Sequence, residues 1–296
     1  MSEEWRRHRR VATVLDEAEL LYVAVAGRNG PHVTPAVFHT DGDRLWFITP
    51  RRSVKAKVIA RRRRVGALVQ LGRWSVVMGG RARIVDPLTA RGIFTPAGLV
   101  DLPFATAGYL SRNVRHAVGT VRDHKAPTLA LSRVLISIDV RRAALLDDWA
   151  VVEQWGRWDR SDRLAHGALP AGNVPDLSAI PPRLRHLLDE DSPVALGWTS
   201  PDGPLALPAR WRSGAGELET SGEAFVLAGG AATGPASVCA ERSGYRLNSK
   251  QGLLFAGQGS AVHCAEDRLG ARVTFDARRV TWWNGEAGRT FAVRNA

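Results

Sequence analysis

NGPHVTPAVF (29–38) and DGPLALPARW (202–211) are two versions of one segment, and their agreement decides how the chain is organised. Gly30 and Pro31 line up with Gly203 and Pro204, Pro35 with Pro208, Phe38 with Trp211 and Leu45 with Leu218, all at an offset of 173. Further along, VVMGGRARIV (76–85) matches LLFAGQGSAV (253–262) at an offset of 177. Then ISIDVRRAALL (136–146) matches VTFDARRVTWW (273–283) at an offset of 137, with a shared Asp-x-Arg-Arg core. Three blocks in the same order make an internal duplication. The drop in offset means that the first copy carries about forty extra residues between Asp86 and Val134, next to the blocks that define the repeat.

Within a copy the local pattern is that of strands. LLYVAVAG, HVTPAVFH, RLWFITP, VGALVQL, SVVMGGRARIV and RVLISIDV are short β-branched and aromatic runs separated by Asn-Gly, Asp-Gly and Gly-Gly punctuation. Between the third and fourth runs, SVKAKVIARRRR (53–64) has helical spacing, with Val54, Val58 and Ile59 on one side. Short strands with one intervening helix predict a mainly β chain of two tandem antiparallel split β-barrels with few helices. The expected division is a first barrel over 1–150, a Pro/Gly-rich linker over 151–182, and a second barrel over 183–296. The stretch 87–125, with Pro87, Pro96 and Pro103, reads as an excursion or lid.

Charge separates the two copies. Residues 1–148 hold 25 Lys/Arg against 13 Asp/Glu, whereas 149–296 hold 16 of each, so the whole net charge of +12 sits in the first copy. That asymmetry favours an anionic partner there over general solubility. No apolar run reaches the roughly 18 residues of a membrane helix, and MSEEWRRHRR is not a secretory leader. Cys239 and Cys264 lack metal-ligand spacing and read as reduced thiols, so the expected compartment is the cytoplasm. No histidines pair at metal spacing, and no G-x-S-x-G occurs.

Residues 20–86 resemble the pyridoxamine-phosphate-oxidase-like family of FMN- or deazaflavin-binding split barrels. The resemblance rests on NGPHVTPAVFHTDGDRLWFIT, the Ser-x-Lys of RRSVKAKVIARRRRV and the strand ending GGRARIV. It implies an FMN cofactor, with the deazaflavin F420 as the alternative and haem, which some relatives bind, behind both. By that resemblance Lys55 falls on the phosphate-binding lysine, Ser53 at the helix entry, and Thr49 at the strand end against the flavin. Val33, Thr34 and Pro35 match the strand along the ring edge, and Ser75 a position near the cofactor. The family often has arginine just before the lysine; Val54 stands there, with Arg51, Arg52 and Lys57 as substitutes for its charge. Physical chemistry points the same way, because a phosphate at a helix entry meets unpaired N–H groups, and Lys55 adds a charge-assisted bond.

Carried at the offset of 173, Thr49, Ser53 and Lys55 become Gly222, Val226 and Ala228, so the second copy has no anchor. It does have TWWNGEAGRT (281–290), which resembles the family's C-terminal Trp-Gln-Gly segment, placing Trp283 and Arg289 on the substrate side. Trp282 and Trp283 as core packing residues is the other reading. The first copy has Leu145, Leu146 and Asp147 there, which leads to an expected pseudo-dimer with one composite site per chain. A further homodimer is left open. Phe291 replaces the family's histidine, which counts against pyridoxamine-phosphate oxidation itself. The expected function is an FMN- or F420-dependent oxidoreductase acting on a small redox substrate. Rivals are a non-catalytic flavin or haem carrier and a cofactor-free polyanion binder. For the latter, Arg61–Arg64 is the relevant cluster, although it lacks the aromatic interleaving of nucleic-acid modules and reads equally as a solvated helix end.

Overall fold

The computed structural model describes residues 4–42, 44–86, 132–159, 164, 177–178, 180–212, 216–242, 250–263, 270–285 and 287–293. The expected excursion at 87–125, Cys264 and most of the linker lie outside the described residues.

The first copy opens with two helices, α1 (Glu4–Arg7) and α2 (Arg9–Glu17), which the strand-dominated reading did not include. Val11, Val14 and Leu15 recur at helical spacing and are buried, so α2 lays one apolar stripe on the barrel beside Trp5. Strands β1 (Leu20–Gly27), β2 (Gly30–Asp41) and β3 (Arg44–Pro50) follow, then the short helix α3 (Val54–Ile59). β4 (Arg64–Leu71), β5 (Trp74–Val85), β6 (Arg133–Asp147) and β7 (Ala150–Trp155) complete the sheet. The strand order is β3-β2-β1-β4-β5-β6-β7, and β3 also pairs with β6, which closes six strands into a ring. Pairing of β7 with β6 carries the first sheet to Trp155, past the expected boundary at residue 150.

The second copy has the same plan. After α4 (Pro182–Arg185) come β8 (Pro193–Ser200), β9 (Gly203–Arg212), β10 (Glu217–Ser221), α5 (Gly222–Leu227), β11 (Thr233–Arg242), β12 (Gln251–His263), β13 (Gly270–Asn284) and β14 (Ala287–Ala292). Their order, β10-β9-β8-β11-β12-β13-β14 with an added β10–β13 pairing, repeats the first sheet strand for strand. Details repeat as well. Gly30 and Gly203 both close their hairpins at φ of +117° and +121°, backbone angles that a side chain resists. Both long hairpins bulge at equivalent points, Gly79/Gly80 and Ala256/Gly257.

Two cores account for the arrangement. Alternation along β1 sends Val23 and Val25 into the first barrel with Phe38, Phe47 and Met78, each large apolar side chain contributing about 1.5–3 kcal/mol. The intervening Ala24, with Val33, Leu68 and Val77, joins the core of the second copy. Strands of the first barrel are therefore apolar on both faces where the copies meet. The Val33 amide donates to Ser237 Oγ across that junction at 3.3 Å.

Candidate functional site

Where the two copies meet, a cavity of about 520 Å³ opens between the β2–β3–α3 region of the first and the β11–β13 region of the second. From the first copy come Thr34 and Pro35 of β2, Thr49 of β3, Ser53, and Lys55 of α3. From the second come Glu241, Lys250, Trp283 and Gly285. Six residues singled out from the sequence thus converge on one space, and Trp283 reaches it from 228 positions beyond Lys55 along the chain.

α3 turns Val58 and Ile59 toward the core as their spacing suggests, and departs from that reading at Val54 and Lys55. Val54 is 48% exposed, whereas Lys55, Ala56 and Ile59 are buried, with Lys55 only 8% exposed. Ser53 caps the helix, its Oγ accepting from the Ala56 amide at 3.2 Å, and the helix seats residue 55 under β2. Lys55 Nζ donates to the Pro35 carbonyl at 2.8 Å and lies 5.6 Å from the Phe47 ring. Burial pushes this ammonium down to about 8, opposed by Glu241 and reinforced by Lys250. His32, also on the cavity wall, is pushed down to about 4 by burial and then by the charge of Lys55, so its imidazole is neutral at pH 7. α3 spans six residues, too short for a strong macrodipole; the positive character of the cavity comes from Lys55, Lys250 and Arg133.

One wall atom has unspent capacity. Thr34 Oγ1 is buried without a hydrogen-bond partner among the described residues, an arrangement that costs about 1–3 kcal/mol unless something in the cavity satisfies it. By contrast Thr49 Oγ1 and Ser53 Oγ bond each other at 3.1 Å. The Trp283 indole lies flat against Gly252 on the neighbouring strand, so that any Cβ there would strike the ring. An apolar plane, a ring of cations and an unsatisfied hydroxyl form a fitting receptacle for a flat heterocycle that carries an anionic tail.

The remaining sequence candidates stand elsewhere. Val33 is buried in the junction core, and Arg51 is paired with Asp86, one of the two contacts measuring 2.9 Å. Arg52 and Lys57 are exposed, as is Arg289, which lies opposite Trp282 on β14 and not beside Trp283. Ser75 is buried on β5 between Gln70 and Leu146, the counterparts of Glu241 and Trp283. It therefore belongs to the opposite junction. His32, Arg133, Glu241 and Lys250 were not identified from the sequence. Signals were present for some: His32 lies inside the repeated segment NGPHVTPAVF beside Val33, Arg133 opens RVLISIDV, and Lys250 lies just ahead of the matched LLFAGQGSAV block.

The opposite junction corrects the expected residue equivalences. Trp211 pairs with Leu218 as Phe38 pairs with Phe47, so Leu218 corresponds to Phe47 and not to Leu45. Thr220 then matches Thr49, and the cap Ser221 matches Ser53, because Ser221 follows Thr220 directly whereas three residues, Pro50, Arg51 and Arg52, separate Thr49 from Ser53. Lys55 is replaced by Glu223, where the offset of 173 put Ala228. The Glu223 carboxylate accepts from the Val151 amide at 2.7 Å, and Ser221 Oγ donates to the Trp149 carbonyl at 2.5 Å. Thr220 Oγ1 donates to the Pro208 carbonyl at 2.6 Å, the bond that Lys55 makes to Pro35 in the first copy. The β6–β7 hairpin is thereby tied onto the equivalent position with its charge inverted.

Among the described residues no group of three His, Cys, Asp or Glu side chains could hold a metal ion, and no helix is long and apolar enough to cross a membrane. Cys239 is buried as a free thiol.

The family model described as pyridoxamine 5'-phosphate oxidase matches residues 7–96. Among solved structures, General Stress Protein 26 from Bacillus anthracis is 16% identical, with 51% of this chain and 98% of that one covered at a TM-score of 0.33. A conserved hypothetical protein from Mycobacterium tuberculosis is 21% identical, covering 48% of this chain and 84% of its own at 0.36. A FAD-binding protein from Mesorhizobium loti is 18% identical, covering 47% and 92% at 0.36. No curated protein matches the chain.

Proposed function

We propose that this chain, whose first half is a pyridoxamine 5'-phosphate oxidase-like split barrel and whose second half repeats its topology, binds one flavin in the junction cavity and uses it for hydride transfer. The observation that carries the reading is the meeting of Lys55 from one copy with Trp283 from the other in the lining of a single cavity. FMN is the flavin proposed; F420 is the second choice.

When bound, the flavin supplies the redox chemistry. The residues of the chain hold and orient it. Lys55 and Arg133 face the anionic group, and guanidinium and ammonium bonds to phosphate are roughly twice as strong as neutral ones. Thr34 Oγ1 has capacity for one polar ring-edge atom, and the Trp283 indole presents an apolar surface that keeps water from the ring. His32, neutral at pH 7, adds no competing positive charge at the ring edge.

Absorbance of the purified chain, followed by titration with FMN and with F420, tests the reading. One tightly bound FMN per chain, weakened roughly ten- to hundredfold in Lys55→Ala, is the expected outcome. Tight binding of F420 alone would transfer the site to the deazaflavin. No binding of either would remove the proposal.

A further inference from the structure

A second cavity, of about 530 Å³, lies away from the Lys55 site at the bulged end of the β5–β6 hairpin. Arg64, Arg81, Arg141, Arg142 and Arg157 line it, against Asp159 and Asp202. We propose that this arginine cleft is a binding site for a compact, multiply charged oxyanion of the diphosphate or triphosphate class, separate from the junction cavity.

The cleft is built around a fixed guanidinium. Arg142 is 6% exposed, paired with Asp202 across the two copies, and its guanidinium lies 4.8 Å from the Trp158 ring. Gly79 makes room for it, since a Cβ at that position would strike Arg142 Nε. Gly156, at φ of +78°, lets the following residues fold back onto β6, its backbone pressed against Arg141 and Arg142. The bulge pairs Gly79 with Arg142 and Gly80 with Val140, which leaves Arg141 without a ladder partner and re-aims it, as bulges do.

Around this fixed member the other cations are placed at a cost. Arg64 and Arg81 stand directly opposite each other across β4 and β5, and like charges in that position repel. Asp139, opposite Arg81 on the other side, has its carboxylate engaged by Arg44 and Arg83. Arg81, Arg141 and Arg157 make no ion pair with a described residue. A bound oxyanion would relieve this repulsion, and forked guanidiniums match the oxygen geometry of phosphate.

The duplication supplies an internal control. At the equivalent place in the second copy, Pro235 and Gln258 face each other where Arg64 and Arg81 do, and Ala256 replaces Gly79. Arg279, the counterpart of Arg142, is exposed there. One ancestral bulge thus occurs twice, and only the copy with the excess positive charge has the space and the paired arginines.

Calorimetric titration of the full chain with inorganic triphosphate tests the proposal. Three companions are Arg81→Ala/Arg141→Ala, Arg61→Ala/Arg62→Ala and Lys55→Ala. Arg81 and Arg141 are exposed and unpaired, so their loss leaves the fold intact. The expected result is saturable binding of one triphosphate per chain, weakened roughly a hundredfold in Arg81→Ala/Arg141→Ala at about tenfold per charge-assisted contact. Affinity stays within about twofold in the other two variants, against that tenfold scale. Three results would overturn it: no saturable binding, unchanged affinity in Arg81→Ala/Arg141→Ala, or equal loss in Lys55→Ala, which would assign the anion to the junction cavity. Binding of single-stranded oligonucleotides that strengthens with length and falls equally in Arg61→Ala/Arg62→Ala would also overturn it, in favour of an extended polyanion surface.

Discussion

The two junctions between the barrels are built from equivalent strands, and each has a cavity, of about 520 Å³ at one and about 570 Å³ at the other, yet the linings carry opposite charge. At the first, Lys55 sits under Pro35 and shares the cavity lining with Trp283. At the second, Glu223 replaces the lysine and takes the Val151 amide, while Thr220 satisfies the proline carbonyl. Its cavity is lined by Glu153 and Glu223, with no lysine or arginine among the described residues. Leu146 occupies the position of Trp283. A handful of side chains separates a cationic receptacle from an acidic one. After duplication, one copy of a site can lose its cationic anchor without disturbing the ladders that hold both sheets.

The largest effect that would sharpen this contrast is at Lys55. Lys55→Ala removes a charge-assisted bond worth about 1.5–3 kcal/mol, so FMN affinity measured by fluorescence quenching should fall roughly ten- to hundredfold. Glu223→Ala should leave that affinity alone; equal losses from the two would break the contrast.

Next in size is an acid transition. His32 has a folded value near 4 against about 6.5 unfolded, so the unfolded chain binds more protons between those limits. Stability is therefore full above about 6.5 and is lost as pH falls toward 4, by about 2–3 kcal/mol. Urea melts of the native chain and His32→Gln across that window should diverge, the variant losing most of the slope. Parallel curves would show that the imidazole is not buried as described.

At the acidic junction, Glu223→Gln should cost about 1–2 kcal/mol by weakening the acceptor for the Val151 amide. Calorimetric melting should register that as a drop of about 2–4 °C. A rise in melting temperature would mean that Glu223 is a strained remnant and not a tie. The smallest effect is expected for Trp283→Leu, which copies the Leu146 position of the second junction into the first. Loss of the aromatic plane should weaken FMN by about 0.5–1.5 kcal/mol with no change in stoichiometry.

Much of this was legible in the residues themselves. The paired segments 29–38 and 202–211, the Asp-x-Arg-Arg cores and the strand-turn punctuation are local, period-two features, and they specify two copies of a small antiparallel barrel. The placement of Thr34, Pro35, Thr49, Ser53 and Lys55 around one site was implied by the family resemblance of residues 20–86, and β2, β3 and α3, neighbours along the chain, bring these residues to one cavity. Charge partition between the halves pointed to the copy that carries the cationic cavities.

What sequence could not decide depends on distance along the chain and on side-chain direction. The burial of Lys55 and exposure of Val54 go with the β2 backbone above α3, where Lys55 bonds the Pro35 carbonyl, against the preference of the valine. Alignment by constant offset failed between β9 and α5 because loops shortened there, and register, not spacing, identifies Glu223 as the lysine's counterpart. Glu241 and Lys250 border the cavity, and Arg142 is fixed by Asp202, only because the two barrels meet face to face. Local propensity and periodicity act over a few residues; the contacts that make each cavity are set by how the completed sheets pack, and that is decided in three dimensions.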